Sequence, residues 1–181
     1  IKAVNWAGFQ SNTLCVHGLW RREWKSMMTD LVNMGFNAIR LPFSREGFEQ
    51  VRTPTDLGAL GVGQGPGATD VNPDWMGKTN FELLTMFIDE CTARGVYVIL
   101  DHHSNNYDSL TGTPIDSYWT QPGWLALWGE MATRYGSNTT IIGADLFNEP
   151  WATPWSTLRT LFQTCGNHIH TIAPDWLIFC G

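Results

Sequence analysis

Hydrophobic residues recur three or four positions apart in four segments of the chain, a spacing that predicts amphipathic helices. These segments lie near residues 20–34, 78–94, 122–135 and 155–172. Gly35 follows the first segment and is the kind of residue that ends a helix in the left-handed conformation. The pattern therefore predicts four helices, each followed closely by a short apolar run.

Five such apolar runs lie before, between and after the helices and predict β-strands. The runs are residues 2–6, 36–42, 96–101, 141–149 and 176–180. Nearly continuous apolar strands that alternate with helices predict a parallel sheet covered by helices. The chain is thus expected to have an α/β fold.

Two parallel architectures fit this alternation, a doubly wound sheet and a (β/α)8 TIM barrel. A dinucleotide-binding sheet carries a glycine fingerprint after its first strand, and residues 5–12 have none. The loops after strands are long and polar at 43–77 and 102–121, whereas the returns after helices are short. This asymmetry is typical of a (β/α)8 barrel. The 43–77 loop, glycine-rich at 59–70, is expected to shape a cleft.

The chain is shorter than a complete barrel. It has 181 residues, whereas eight strands and eight helices take about 250. The pattern accounts for about strands 1 to 5, and no shift in composition marks a domain boundary. We therefore expect residues 1–181 to form one partial (β/α) barrel, the N-terminal part of a longer domain.

Charge excludes several classes of partner. The chain has 17 acidic and 11 basic residues, a formal net charge of −6, and no cluster of basic residues. Nucleic acid and anionic membranes are therefore not expected as partners. No apolar run reaches the length of about 18 residues that a membrane helix needs. Ten tryptophans and few lysines favour a secreted protein.

The four cysteines lack the Cys-x-x-Cys spacing of zinc and thiol-redox motifs. Cys91 and Cys165 continue the apolar faces of the second and fourth helices, so we expect buried, unpaired thiols there. Cys15 stays open as a candidate for a disulfide bridge.

Polar residues at the strand ends are the first candidates for chemistry, because these positions point at the substrate in a barrel. They are Asn5, Trp6, Arg40, Asp101, His102, His103, Asn148 and Glu149. Phe147 and Trp151 flank Glu149, so we expect its carboxyl group to be partly desolvated, which favours the protonated form that a general acid needs. The alternative is a surface glutamate in a turn begun by Pro150.

Seven motifs then point to one known family. They are NWAGFQ (5–10), HGLW (17–20), FNAIRLPFS (36–44), VILDHH (98–103), RYG (134–136), DLFNEP (145–150) and LIF (177–179). Their order and spacing resemble glycoside hydrolase family 5, the cellulase-type retaining barrels, and most closely its bacterial-type endo-β-1,4-glucanases. The resemblance covers essentially the whole chain. It implies a (β/α)8 barrel that cleaves a cellulose-type β-1,4-glucan.

The resemblance implies roles for individual residues. Glu149 matches the family's acid/base, which protonates the leaving oxygen and then activates water. Asn148 matches the amide that binds the 2-hydroxyl of the sugar. Arg40 matches the arginine that keeps the nucleophile ionised, and His103 matches a histidine that lines the subsite on the non-reducing side. His102 falls where the family varies, so a structural or rim role is expected for it.

Further residues are expected to border the cleft or to pack in the core. Early motifs of the nearest relatives imply substrate contact for a first group: Asn5, Trp6, His17 and Trp20. Trp119 and Trp151 lie in loops after strands and are candidates for stacking on pyranose rings, with Trp75 a weaker one. Helical phase predicts a core position for a third group: Trp24, Trp124, Trp128 and Trp155. Asp145 shares a strand face with Glu149 and is expected to pair with a buried donor.

The resemblance also places the nucleophile, a second carboxylate, on the seventh strand of the barrel. Retaining hydrolysis needs that group about 5–5.5 Å from the first. The only acidic residue after Glu149 is Asp175, in a turn at the other end of the strands. We therefore expect a partial chain whose nucleophile lies beyond Gly181.

Alternatives stay open at this point. A β-mannanase, a xyloglucanase or another β-glycanase of the family is the nearest one. A non-catalytic carbohydrate-binding barrel is a second, and a metal-dependent hydrolase that uses Asp101 and His103 is a third. Under the favoured interpretation, an endo-β-1,4-glucanase, we expect no cofactor and no metal, a polysaccharide as the partner, and a monomer when the protein is complete.

Overall fold

The predicted strands form one parallel sheet in the computed structural model, which describes residues 1–54 and 71–181. The strands follow one another in chain order: β1 (Ala3–Asn5), β2 (Ala38–Ser44), β3 (Tyr97–Ser104), β4 (Ile141–Asp145) and β5 (Leu177–Phe179). All four strand pairs are parallel. The α/β prediction is confirmed. The glycine-rich stretch at 59–70 lies outside the described residues.

Helices cover the connections between these strands. They are α1 (Trp24–Asn33), α2 (Arg45–Phe48), α3 (Asn80–Ala93), α4 (Gln121–Tyr135) and α5 (Trp155–His170). Helix α1 begins four residues later than predicted because Glu23 caps it, accepting hydrogen bonds from the backbone N–H groups of Lys25 and Ser26. Gly35 follows α1 with a φ of +82°, which confirms the predicted left-handed residue at its end.

The prediction of one polar loop over 43–77 is wrong in its described parts. Strand β2 continues to Ser44 and helix α2 follows at once. A 3-10 turn over Pro73–Trp75 then places Trp75 wholly in the core, edge-on against Trp24 at 5.5 Å. Trp75 is therefore not a sugar contact.

Tryptophans fill much of the core between the sheet and the helices. Trp24, Trp124 and Trp128 are completely buried, as their helical phase predicts. The same prediction is wrong for Trp155, whose residue surface is 64% exposed. Trp155 is the first residue of α5, so no preceding helical turn covers it.

The cysteines are all unpaired, and three of the four are buried. The predictions for Cys91 and Cys165 are confirmed, whereas the suggested bridge at Cys15 is not formed. Burial raises the pKa of the Cys15 thiol to about 12, which keeps it protonated and unreactive. Among the described residues no helix combines the length and the apolarity needed to cross a bilayer.

Asn72 joins the loop after β1 to the start of α1 and provides a test of this packing. Its buried side chain accepts a hydrogen bond from the N–H of Trp24 and donates to the carbonyls of Leu19 and Arg22, each at 2.9 Å. Asn72→Ala leaves these backbone groups without partners. We expect it to lower the free energy of unfolding by about 2–4 kcal/mol in urea titrations.

Asn167→Ala is the matched control. Asn167 is exposed on α5, and no described residue bonds its side chain. Its substitution should change stability by less than about 0.7 kcal/mol. Equal effects of the two substitutions would contradict the role of Asn72.

Candidate active site

The guanidinium of Arg40, on β2, contacts the next two strands of the sheet. On β3, Asp101 Oδ2 lies 2.9 Å from its Nη1. On β4, Asp145 Oδ2 accepts from its Nε at 2.9 Å and from its Nη2 at 2.8 Å. Beyond β4, Asn148 Oδ1 accepts from Nη2 at 3.1 Å. One side chain thus holds β2, β3 and the end of β4 in a fixed arrangement, which the planar fork of arginine favours.

Two carboxylates share this one cation. The side chain of Asp101 is completely buried, and those of Arg40 and Asp145 are mostly buried. Burial raises the pKa of Asp101, while the hydrogen bond from His103 and the charge of Arg40 act in the opposite direction. The predicted pairing of Asp145 with a buried donor is confirmed.

The two histidines of β3 lie on opposite faces of the strand and have different roles. His103 contacts Asp101 Oδ2 through its Nδ1 at 2.7 Å, and its side chain is 26% exposed. His102 is completely buried, stacks on Phe43 and accepts a hydrogen bond from Trp124 Nε1 at 3.0 Å. Burial lowers the pKa of His102 to about 3, so this residue is a neutral part of the core. The structural role expected for His102 is confirmed.

Asn148 follows β4 and is oriented by its neighbours. Its backbone N–H donates to the carbonyl of His102 at 3.0 Å. Because arginine only donates, the contact with Arg40 identifies the amide oxygen of Asn148 and leaves Nδ2 as a donor. No described residue accepts from that Nδ2, so it can serve a ligand hydroxyl.

Glu149 adopts an unusual backbone conformation at the end of this segment. Its φ is +48°, in the left-handed region that non-glycine residues rarely occupy. Non-glycine residues in this conformation cluster at functional sites. The N–H of Trp151 donates to the carbonyl of Glu149 at 2.8 Å, which closes a tight turn around Pro150. Glu149 thus lies in a turn four residues beyond the end of β4.

The expectation that aromatic neighbours desolvate Glu149 is wrong for the described part of the chain. Glu149 is exposed. Phe147 points into the core, where its ring lies edge-on to His102 at 4.9 Å. Trp151 is itself 73% exposed. Sequence neighbours therefore do not cover the carboxylate.

Trp151 packs on the loop that follows β3. Gly112 has a φ of +65°, and a Cβ built there would lie 2.5 Å from the indole. Ala152 donates to the carbonyl of Gly112 at 2.8 Å, and Thr153 donates to the hydroxyl of Thr113 at 2.8 Å. These contacts fix Trp151 two residues after Glu149, with most of its surface open to a ligand.

The other predicted contact residues differ in accessibility. Asn5 is exposed on β1 and lies opposite Arg40 in the sheet register. In the loop after β1, Trp20 is partly exposed and its ring centroid lies 5.8 Å from that of His17. Trp6 is buried and donates through Nε1 to the carbonyl of His17 at 2.9 Å.

Trp119 is only 5% exposed. Its ring contacts Arg45, a charged residue to which the sequence alone gave no role. The guanidinium carbon of Arg45 is 4.9 Å from its ring centroid. Arg45 is buried, bonds Glu49 Oε1 at 2.7 Å and donates to the carbonyl of Thr120 at 3.1 Å. It thereby ties the loop after β3 to α2. No local pattern distinguishes such an arginine from a solvated one.

The candidate active site cannot be located from the clefts of the protein surface alone. A cleft of about 720 Å³ lies between the outer faces of α1 and α3, and no strand-end residue lines it. Within residues 1–54 and 71–181, no group of three or more His, Cys, Asp or Glu side chains is arranged to hold a metal ion. The candidate site is therefore the exposed edge formed by His103, Asn148, Glu149 and Trp151.

Comparisons with known proteins give a consistent family. The model of the family described as Cellulase (glycosyl hydrolase family 5) matches residues 1–181. An endoglucanase from Paenibacillus polymyxa is 31% identical over 185 residues, which is 97% of this chain and 43% of that protein. The major extracellular endoglucanase of Xanthomonas campestris pv. campestris is 32% identical over 188 residues, 98% of this chain and 36% of that protein.

Solved structures agree with these sequence matches. The catalytic domain of the major endoglucanase from Xanthomonas campestris pv. campestris superposes with a TM-score of 0.85 at 31% identity, over 98% of this chain and 51% of that chain. A cellotetraose complex of an endocellulase from Pyrococcus horikoshii gives 0.83 at 28% identity, over 98% and 50%. The predicted (β/α)8 fold is confirmed, and this chain supplies about half of it.

Removal of Arg40 tests the network of charges. Arg40→Ala leaves Asp101 buried without its cation, so we expect a loss of about 3–5 kcal/mol in the free energy of unfolding near neutral pH. The pKa of Asp101 should then rise further above its ordinary 3.8. The folded state would bind the proton more tightly than the unfolded state, so stability falls as pH rises through that window.

Urea unfolding near pH 7 and near pH 4 measures this effect, and the loss should be smaller at the acidic pH. Arg22→Ala is the control, because Arg22 pairs with Asp30 at the surface and should contribute at most about 1 kcal/mol. A loss for Arg40→Ala that is small, or that grows on acidification, would refute the pairing.

Proposed function

The chain belongs to glycosyl hydrolase family 5, the cellulase family, and from this premise we propose that it is part of an endo-acting hydrolase that cleaves β-1,4-glucan with retention of configuration. The observation that carries the proposal is the Asn148-Glu149 pair at the end of β4, held beside the shared guanidinium of Arg40. The matched endoglucanases support a cellulose-type substrate.

Glu149 acts as the acid/base in this proposal. Its carboxyl group protonates the leaving glycosidic oxygen and later activates the water that releases the sugar. Its exposure supports this role because the carboxyl group is open to a substrate, and its unusual backbone conformation is of a kind that clusters at functional sites. Asn148 donates through Nδ2 to the 2-hydroxyl of the sugar, a bond that strengthens in the oxocarbenium-like transition state.

A second carboxylate must act as the nucleophile. Asp175, the only acidic residue after Glu149, lies between α5 and β5 at the opposite end of the strands. The chain spans less than half the length of the curated relatives named above. We therefore infer that residues 1–181 are the N-terminal part of a catalytic barrel and that another segment supplies the nucleophile. Arg40 favours the ionised form of that group.

The polysaccharide contacts the edge around Glu149. Trp151 has the exposed ring that stacking on a pyranose needs, while His103 lies on β3 and Asn5 on β1. His17 and Trp20 extend the surface at the first loop, while Trp6 and Trp119 contribute little ring area because they are buried. The protein acts as a secreted monomer on this proposal, and the extracellular relative supports secretion.

Glu149→Gln tests the catalytic assignment. In the full-length protein we expect kcat on a soluble β-1,4-glucan to fall by about 10²-fold or more, because the amide cannot give up a proton to the leaving oxygen. Binding of the polysaccharide should persist. A dinitrophenyl cellobioside, whose acidic phenol leaves without protonation, should lose far less of its kcat/KM, which reports the first chemical step. Values of kcat/KM on both substrates and affinity electrophoresis measure these effects.

Glu130→Gln is the control, because Glu130 pairs with Arg134 on the outer surface of α4 and should leave the rates unchanged. Equal losses on both substrates would refute proton donation by Glu149. A β-1,4-mannan cleaved faster than β-1,4-glucan would favour the mannanase alternative. Activity lost in the presence of a chelator would favour the metal-dependent one.

A further inference from the structure

Asp101 binds two different partners through a single oxygen. Its Oδ2 contacts Nη1 of Arg40 at 2.9 Å and Nδ1 of His103 at 2.7 Å, while no described residue bonds its buried Oδ1. The side chain is completely buried, so water does not compete for Oδ2. The Nδ1 atom of His103 is therefore hydrogen-bonded to a buried acceptor whose position is fixed by Arg40.

This contact determines which nitrogen of His103 carries the proton. An ionised carboxylate only accepts, so the Nδ1 of His103 must donate to it. A neutral imidazole that donates through Nδ1 presents Nε2 as an acceptor. No described residue bonds that Nε2, and the side chain is partly exposed at the candidate site.

We propose that Asp101 is a positioning residue that fixes His103 in the Nδ1–H tautomer, so that Nε2 accepts a hydrogen bond from a sugar hydroxyl. The inference rests on the proposed function for the identity of the ligand. Such a site selects a group that donates, and it disfavours a sugar whose hydroxyl at this position is absent or methylated.

The contact with Arg40 keeps Oδ2 of Asp101 an acceptor, which the tautomer requires, because a guanidinium only donates. Burial raises the pKa of Asp101 and the charge of Asp145 acts in the same direction, whereas His103 and Arg40 lower it. Asp145, which lies opposite Asp101 in the register, shares the same guanidinium but makes no contact with His103. Both aspartates bind the same cation, but only Asp101 also bonds the imidazole.

Nitrogen-15 NMR of the wild-type full-length protein tests the tautomer directly. At a pH where imidazoles are neutral, we expect a pyridine-like chemical shift for Nε2 of His103 and a pyrrole-like shift for Nδ1. The opposite assignment would overturn the proposal without the need for any variant.

Asp101→Leu and Asp145→Leu form a matched pair, because each replaces a carboxylate beside Arg40 by an apolar group of similar shape. Asp101→Leu removes the acceptor of the Nδ1–H group, so the proton should move to Nε2, which a free neutral imidazole prefers to protonate, and the chemical shifts should exchange. Asp145→Leu should leave them unchanged. Loss of a group that orients a metal-ligating histidine typically costs 10–100-fold, and by analogy we expect kcat/KM to fall about tenfold further in Asp101→Leu than in Asp145→Leu.

A His103→Ala background separates positioning from structural support. Without the imidazole, the additional loss of kcat/KM in Asp101→Leu relative to Asp145→Leu should disappear. An additional loss that persists in that background, or that is absent when the imidazole is present, would overturn the inference. If the wild-type protein cleaves no β-1,4-glucan but shows the predicted tautomer, the proposed function fails and the positioning by Asp101 stands.

Discussion

The guanidinium of Arg40 is the interaction on which the candidate site depends. It is the only described cation that contacts both Asp101 and Asp145, and it also orients the amide of Asn148. Two carboxylates that lie side by side on adjacent strands would repel each other without it. Asn148 immediately precedes Glu149 in the chain. The guanidinium that stabilises the strands therefore also helps to fix the position of the proposed acid/base.

Contacts between the loops extend this fixed arrangement beyond the strands. Gly112 has no side chain, so Trp151 can pack against the loop after β3. Arg45, on α2, contacts Trp119 and the carbonyl of Thr120 and so holds the far end of the same loop. The buried side chain of Arg45 and the contact of Trp151 with Gly112 therefore fix the loop after β3, which preorganises the candidate site for binding.

Local patterns predicted the elements well and their surroundings less well. Helical periodicity and apolar runs located every strand and the four long helices, because burial on one face is written into the spacing of residues. The same phase placed Trp155 in the core, since periodicity does not reveal that a residue opens its helix. Trp75 looked like a loop residue because its burial depends on contacts with Trp24, about fifty positions away.

The site shows the same division between local and distant information. Strand-end position and the family resemblance made candidates of Arg40, His103, Asn148 and Glu149. Alternation along β3 places Asp101 and His103 on one face, but their hydrogen bond and the shared guanidinium follow from the register of three strands. The expected desolvation of Glu149 failed because Phe147 and Trp151, although adjacent in sequence, point elsewhere.

A crystal structure of the full-length protein with a non-hydrolysable, thio-linked cellotetraose is the most direct test of the central claim. The claim is that the network around Arg40 aims Asn148 and Glu149 at a glycosidic bond. The account predicts the carboxyl group of Glu149 within contact distance of a linking sulfur atom and Nδ2 of Asn148 hydrogen-bonded to the adjacent 2-hydroxyl. An oligosaccharide bound elsewhere, or one that leaves both side chains without contact, would contradict it.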